Sequence, residues 1–244
     1  FQKMAWLYIL VGVVLLLSLY RIFRAQLFAK INSKMCAKYN KMIASEKETL
    51  FQKLNEQAKA KGRTYTILEL GGGSGTNFGF VKEPVHWVVT EPNMAFAQYF
   101  QENVKKNGGD HHISELIEAK AEDLSQFPNA SMDAVVVSLV LCTVQDPQRV
   151  MNEVQRVLRP GGHFFFIEHV ISQPGTILRY VQIVLSKARI WPFLFEGCQL
   201  HRDTGKLVKQ QPGFAKTEVT DFKLNTSSLL LGFVRSHVYG VATR

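Results

Sequence analysis

The chain has 244 residues, a net charge of +9 and three cysteines. That length suffices for one full α/β domain with a core plus an appendage. Cys36, Cys142 and Cys198 include no Cys-x-x-Cys pair, which argues against a disulfide framework or a zinc knuckle and fits a reducing, cytosol-facing setting.

The charge is unevenly placed. Residues 1–64 hold 12 Lys/Arg and 3 Asp/Glu, whereas residues 65–244 hold 17 of each. The body therefore has no surplus positive charge to meet phosphates, and no nucleic-acid partner is expected.

The first element is the uncharged run "MAWLYILVGVVLLLSLY", Met4 to Tyr20. As a helix it would cover about 25 Å, near the lower limit for crossing a bilayer. Trp6, Tyr8 and Tyr20 are placed as interfacial anchors. A cleaved signal peptide fits less well, because the charge follows the apolar run and no small-residue cleavage site appears after it. A membrane anchor is expected over residues 1–24, with membrane lipid as its partner. Residues 25–63 are expected to form a basic, amphipathic, juxtamembrane helical segment. Arg21, Arg24, Lys30, Lys34, Lys38, Lys41 and Lys47 would hold the rest of the chain on the cytosolic side and favour anionic headgroups. From Lys47 to Lys61 a solvated helix face is an equal alternative. A helix lying in one leaflet is another, with Ile22, Phe23, Leu27, Phe28 and Ile31 extending its apolar face.

Residues 64–244 read as one α/β domain. Strands are predicted at 64–70, 85–91, within 114–124, at 132–141 and at 163–170, with helices at 93–107 and 146–162. Asp146 is placed to cap the latter helix, Pro147 suits its first turn, and Pro160-Gly161-Gly162 should stop it. Such alternation implies a parallel sheet with helices on both faces, whose ligand sits beyond the carboxyl ends of the strands.

The first of these strands runs into "ELGGGSG", Glu69 to Gly75. A dinucleotide fingerprint starting at Gly71 would need glycine at 76, where Thr76 stands, and a P-loop would need a lysine, absent between Lys61 and Lys82. Glu69 would repel an anion and attract a cation. Gly71 and Gly73 let the backbone approach a ligand closely. Glu91, ending the second strand, can accept both ribose hydroxyls. A carboxylate in Ala121-Glu122-Asp123 can accept an exocyclic amine. Together these describe a bound adenosine carrying positive charge and no pyrophosphate.

The ordered set "ELGGGSG", "TEPN", "AEDL", "MDAVVVSLVLC" and "LRPGG" before "HFFFIEHV" resembles the Rossmann-like, S-adenosylmethionine-dependent methyltransferases. "GTNF", "EGCQL", "RSHVYGVATR" and the apolar N-terminal helix narrow the resemblance to the membrane-anchored methyltransferase-like 7 group. That resemblance implies a seven-stranded, mostly parallel sheet with helices on both faces, plus an N-terminal membrane helix. It implies S-adenosyl-L-methionine as cofactor and a small thiol as substrate, at endoplasmic reticulum and lipid-droplet membranes. The implied cofactor-binding residues are Glu69, Gly71, Gly72, Gly73, Gly75, Asn77, Glu91, Pro92, Asn93, Ala121, Glu122 and Ser138. The chain departs from the group at Gly72 (usually cysteine), Ser74 (threonine), Glu91 (aspartate) and His201-Arg202-Asp203-Thr204 (Thr-Arg-Glu-Ser/Thr). The "LRPGG" region also resembles quinone C-methyltransferases, so a lipid or quinone acceptor is a second reading, and a non-catalytic membrane-surface protein is a third.

A thiolate is already a strong nucleophile, so alignment and a modest lowering of the thiol pKa can suffice. His169, ending the fifth strand, is the candidate proton acceptor, with a structural bond to a loop carbonyl as its alternative. Glu168 would orient a neighbour, and Cys142 reads as a small core residue. Cys198 and His201 suggest a Cys/His pair, but no metal is expected. Trp191, Phe193 and Phe195 are expected to line an apolar pocket, touch the membrane or pack as plain core.

Overall fold

The computed structural model describes residues 2–107 and 112–244. The chain opens with a long helix, α1 (Gln2–Met42), then α2 (Ala44–Ala60). The body follows as β1 (Tyr65–Leu70), β2 (Val85–Thr90), α3 (Ala97–Lys106), β3 (His112–Ile117), β4 (Met132–Ser138), α4 (Pro147–Val157) and β5 (Leu158–His169). It ends with α5 (Ile177–Lys187), α6 (Ile190–Leu194), α7 (Thr204–Gln210), β6 (Lys216–Lys223), α8 (Leu229–Gly232) and β7 (Ser236–Thr243).

One seven-stranded sheet has the order β3-β2-β1-β4-β5-β7-β6. The first five strands run parallel, and β7 lies antiparallel between β5 and β6. β4 is almost a continuous apolar run and is buried from Met132 to Val137, as a central strand covered on both faces must be. Alternation along β5 separates the two layers. Phe164 and Phe166 join Val150, Met151 and Val154 of α4 on one face. Phe165 and Ile167 join Leu50, Phe51 and Leu54 of α2 on the other.

Asp146 caps α4 as expected, accepting from the backbone N–H groups of Gln148 (3.0 Å) and Arg149 (3.1 Å). The helix stops earlier than the Pro-Gly-Gly signal places it, because Leu158 is already extended (ψ 140°). Pro160, Gly161 and Gly162 lie inside β5 instead. Their backbone is claimed by the carboxyl-terminal residue: Gly161 N–H donates to Arg244 O (2.8 Å), and Arg244 N–H donates to Gly162 O (3.0 Å).

Among the described residues no single helix is long and apolar enough to cross a membrane. A pair bent by 51°, Val11–Tyr20 with Phe23–Met42, meets that measure jointly. The basic segment expected near lipid or solvent is corrected at Lys47, which is buried with Leu50, Phe51, Leu54 and Ala58 on the inner face of α2.

At the amino end of β4, Asp133 is buried and collects Arg63 (2.8 and 2.5 Å), the Thr66 N–H (3.0 Å) and Arg159 (2.8 Å). These contacts fasten β5 and the entrance to β1 against β4. Replacing Asp133 with alanine leaves two guanidinium groups without their partner. Both guanidiniums are partly exposed (44% and 33%), so the expected cost is about 1–2 kcal/mol, chiefly from the lost hydrogen bonds, or roughly 2–8 °C in Tm for a chain of this size. A thermal melt of Asp133→Ala that matches wild type would refute this anchoring role.

Candidate active site

The glycine loop lies at the carboxyl end of β1, where the strand order turns from β2 to β4. This is the switch point at which open α/β sheets hold their ligands. Gly71, Gly73 and Gly75 all have positive φ (63°, 51° and 68°). Gly72 is needed for a different reason. A Cβ there would lie 2.2 Å from Val89 Cγ1, so the cysteine of the resembling group would require the Val89 side chain or the loop to shift. Around Gly73, by contrast, a Cβ would meet nothing within 4 Å.

Beneath the loop lies a buried polar chain. Asn77 donates through Nδ2 to Glu69 Oε1 (2.7 Å) and Ser138 Oγ (3.1 Å), and accepts through Oδ1 from Lys47 Nζ (2.6 Å). Burial raises the Glu69 carboxyl to about 7, against the opposing pull of Asn77, the Lys47 charge and Trp87. Burial likewise lowers Lys47 to about 8. Lys47 is the site residue that sequence reasoning missed. It sits among other lysines, and only the apolar spacing of Leu50, Phe51 and Leu54 marked its face as the inner one.

Glu91 follows β2 and is buried. Its oxygens accept from Gly73 N–H and Asn93 N–H, both at 2.9 Å, so the carboxylate is held against the glycine loop. Burial still raises its pKa, ahead of those two hydrogen bonds, which lower it. Asn93 caps the next turn and also donates to Ala25 O of α1 (3.3 Å), while Pro92 is exposed. The structure thus joins the expected residues in two sets of contacts, Glu69 with Asn77 and Ser138, and Gly73 with Glu91 and Asn93. Ala121 is buried, and Glu122 accepts from Gln145 N–H (2.6 Å) in the loop after β4. Asp123 instead closes an exposed turn with Ser125 N–H (3.2 Å).

A second group lies beyond β4 and β5. The His169 imidazole is buried and meets Cys198 Sγ at 3.1 Å through Nε2. The sulfurs of Cys142 and Cys198 and a nitrogen of His169 all lie within 4.8 Å of one another. The Cys198–His201 pairing that the sequence spacing suggests is not formed: the partner of Cys198 is His169, which does not bond a loop carbonyl. Glu168 accepts from Val140 N–H (2.7 Å) and Leu141 N–H (3.0 Å), and burial raises it to about 7. Arg202 donates to Leu141 O (2.5 Å). In the divergent run 201–204, Asp203 caps α7 through Lys206 N–H (3.0 Å) and Thr204 is buried. Tyr39 of α1 bonds His237, a histidine that burial lowers to about 3.

The three aromatic candidates divide. Trp191 is buried and stacks on Phe195 with centroids 4.2 Å apart, whereas Phe193 is 54% exposed and meets Tyr20 at 5.7 Å. A groove of about 170 Å³ between α1 and α6 is lined by Tyr20, Leu27, Ile31, Met35, Leu194 and Phe195, among others.

Residues 68–166 match the family model described as "Methyltransferase domain". The chain is 36% identical over 208 residues to human (Homo sapiens) thiol S-methyltransferase TMT1A, covering 84% of this chain and 81% of that protein. It is 35% identical over 185 residues to rat (Rattus norvegicus) thiol S-methyltransferase TMT1B, covering 75% and 73%. In fold it is similar to an S-adenosylmethionine-dependent methyltransferase of Thermotoga maritima. There the TM-score is 0.52 at 16% identity, covering 92% of this chain and 99% of that one.

The raised Glu69 carboxyl has a measurable consequence. The folded chain holds that proton more tightly than the unfolded chain, so folding loses stability as pH rises from the ordinary value of 4.5 to about 7. Lys47 acts in a higher window, from about 8 up to 10.5, where its lowered value adds stability with rising pH. Glu69→Gln should therefore gain in Tm relative to wild type between pH 5 and pH 8, by the equivalent of roughly 2–3 kcal/mol. Parallel Tm profiles for the two proteins over that range would contradict the buried-carboxyl assignment.

Proposed function

The chain belongs to the thiol S-methyltransferase family, and on that premise we propose that it methylates the sulfur of small lipophilic thiols at a membrane surface. The observation that carries the cofactor side is the pair of buried carboxylates, Glu69 and Glu91, on either side of a glycine loop free of lysine and arginine. This donor set fits the group that the family uses, S-adenosyl-L-methionine: acceptors for hydroxyls and an anion for a cation. The nearby ammonium of Lys47 is already engaged by Asn77 and does not create a phosphate site.

S-adenosyl-L-methionine, when bound, supplies a methyl on a sulfonium; the acceptor sulfur bonds that carbon as the old C–S bond breaks, its electron pair staying with the departing thioether. The chain's own residues bind and orient. Glu91 would exchange its bonds to Gly73 and Asn93 for ribose hydroxyls. Gly73, with open space where a Cβ would stand, gives close backbone approach, while Gly71, Gly72 and Gly75 let the loop pack against Val140, Val89 and Phe100. Glu69, held by Asn77 and Ser138, supplies the countercharge. Ala121 and Glu122 would border the adenine, and Pro92 and Asn93 would shape the turn that faces the ribose. His169 supplies the basic nitrogen on the acceptor side, which favours the thiolate.

A set of exposed apolar side chains supports the membrane part of the reading. Trp6, Tyr8, Leu15, Leu16 and Phe23 of α1 are exposed, as are Ile177 and Tyr180 of α5, Ile190 and Leu194 of α6, and Leu229 of α8. Arg24 ties α1 to this region through Glu196 (2.9 Å). Exposed apolar area of this kind suits a lipid surface. The groove between α1 and α6 then receives acceptors that partition into lipid. The basic residues after Tyr20 favour a cytosol-facing domain, and the endoplasmic reticulum membrane is the proposed location.

Incubation with methyl-labelled cofactor and alkyl thiols of increasing length tests the proposal, with and without lipid vesicles. Methyl thioethers should form above the no-enzyme rate, more so for lipophilic thiols and with vesicles present. Glu91→Ala should lose about 2–3 kcal/mol of cofactor binding, or roughly 30- to 150-fold in affinity. A wild-type chain that binds the cofactor and methylates no thiol would defeat the reading.

A further inference from the structure

We propose that Cys142, His169 and Cys198 form a three-donor zinc site whose fourth position takes the sulfur of the acceptor thiol; the substrate part rests on the thiol-transfer reading above. The three residues are far apart in sequence, and the fold assembles them. Cys142 lies four residues past the end of β4, His169 is the last residue of β5, and Cys198 follows α6. A backbone bond from Gln199 N–H to Cys142 O (2.8 Å) ties the two cysteine segments together.

The donor set and its dimensions fit the ion. Two thiolates and a neutral imidazole are a known zinc set, and a catalytic zinc keeps three protein ligands and one open position. Zinc–sulfur and zinc–nitrogen bonds of about 2.3 and 2.0–2.1 Å imply donor-to-donor edges of roughly 3.5–3.8 Å in a tetrahedron. The three donor atoms lie within 4.8 Å of one another, and His169 Nε2 is 3.1 Å from Cys198 Sγ. Small movements close such a set on an ion. No fourth Cys, His, Asp or Glu joins the group among the described residues.

The charge balance fits as well. Two thiolates neutralise a divalent ion, so the filled site adds no net charge to a buried place. Glu168 and Arg202 hold the loop that carries Cys142 from both sides, through the N–H groups of Val140 and Leu141 and the Leu141 carbonyl. Outer contacts of this kind orient metal ligands. Trp191 and Leu200 pack with the cysteines, and Phe195 borders both this cluster and the groove between α1 and α6. That common wall marks the side from which an acceptor arrives.

On coordination the acceptor thiol loses its proton to water, because a metal-bound thiol is deprotonated at neutral pH; His169, with its imidazole nitrogen on the ion, then acts as a ligand in place of the proton-accepting role it has in the ion-free site. The bound sulfur then forms its bond to the methyl carbon, and the sulfonium C–S bond breaks as before. The zinc neither gains nor loses electrons, and the product thioether, a weaker ligand, leaves.

Metal analysis of the purified full chain, incubated with zinc and desalted, tests the site without relying on activity. About one zinc per chain is expected, falling roughly tenfold or more in Cys142→Ser and Cys198→Ser, with thermal melts to confirm that each variant is folded. Cobalt in place of zinc should give thiolate-to-metal and ligand-field bands in the visible, and these should change when an alkyl thiol is added. A folded wild-type chain that methylates thiols but retains no zinc or cobalt would overturn the site and leave the thiol reading intact. Bound cobalt whose bands ignore the thiol, in a chain that does methylate it, would overturn the substrate role.

Discussion

A carboxylate and an ammonium share one amide beneath the glycine loop, and the site is built around that contact. Glu69 comes from β1, Asn77 from the loop, Ser138 from the end of β4 and Lys47 from α2. Taking a carboxylate and an ammonium out of water costs several kcal/mol each, recovered only when their hydrogen bonds are met. Asn77 meets both at once. Its amide nitrogen faces the acceptors and its carbonyl faces the donor, so the loop has one satisfactory position. The raised value of Glu69 and the lowered value of Lys47 record the same desolvation from opposite sides.

That contact also joins the N-terminal helices to the chemistry. α2 is held against the sheet by Leu50, Phe51 and Leu54 and reaches the loop through Lys47. α1 continues from it across a single residue, Ile43, and touches the molecule at three functional places. Ala25 meets Asn93 beside the Glu91 carboxylate, Tyr39 meets His237 near the cysteines, and Arg24 meets Glu196 after α6. A segment that reads in sequence as an anchor and its tether therefore packs against the body beside Glu91, near the Cys142–His169–Cys198 group and after α6. Exposed apolar side chains stand on α1, α5, α6 and α8; in the function proposed above, lipid contact and acceptor entry would fall there.

Much of this was legible because local rules and the fold agreed. The buried run of β4, the alternation of Phe164 to Ile167 and the cap at Asp146 follow from periodicity and capping. Glu69, Gly71, Gly73 and Glu91 stood out because a glycine loop flanked by two carboxylates and lacking a lysine suits a cationic adenosine and not a phosphate. Three features were hidden by long-range effects. Lys47 looked like one more solvated lysine, since nothing local shows that Asn77 waits opposite it. Cys198 lies three residues from His201, yet meets His169, twenty-nine residues away, because β5 and the segment after α6 converge at the same edge. Pro160 to Gly162 carries a stop signal, but Arg244 supplies backbone partners that only the folded sheet brings near.

The central claim is that α2 is part of the cofactor site and not merely attached to it. Hydrogen–deuterium exchange of the full chain, with and without S-adenosyl-L-methionine, tests this most directly. Cofactor should slow exchange in Ala44–Ala60 together with residues 69–77, because holding the loop holds Lys47 and the helix that carries it. Protection confined to the loop and the end of β2, with α2 exchanging at an unchanged rate, would contradict the claim.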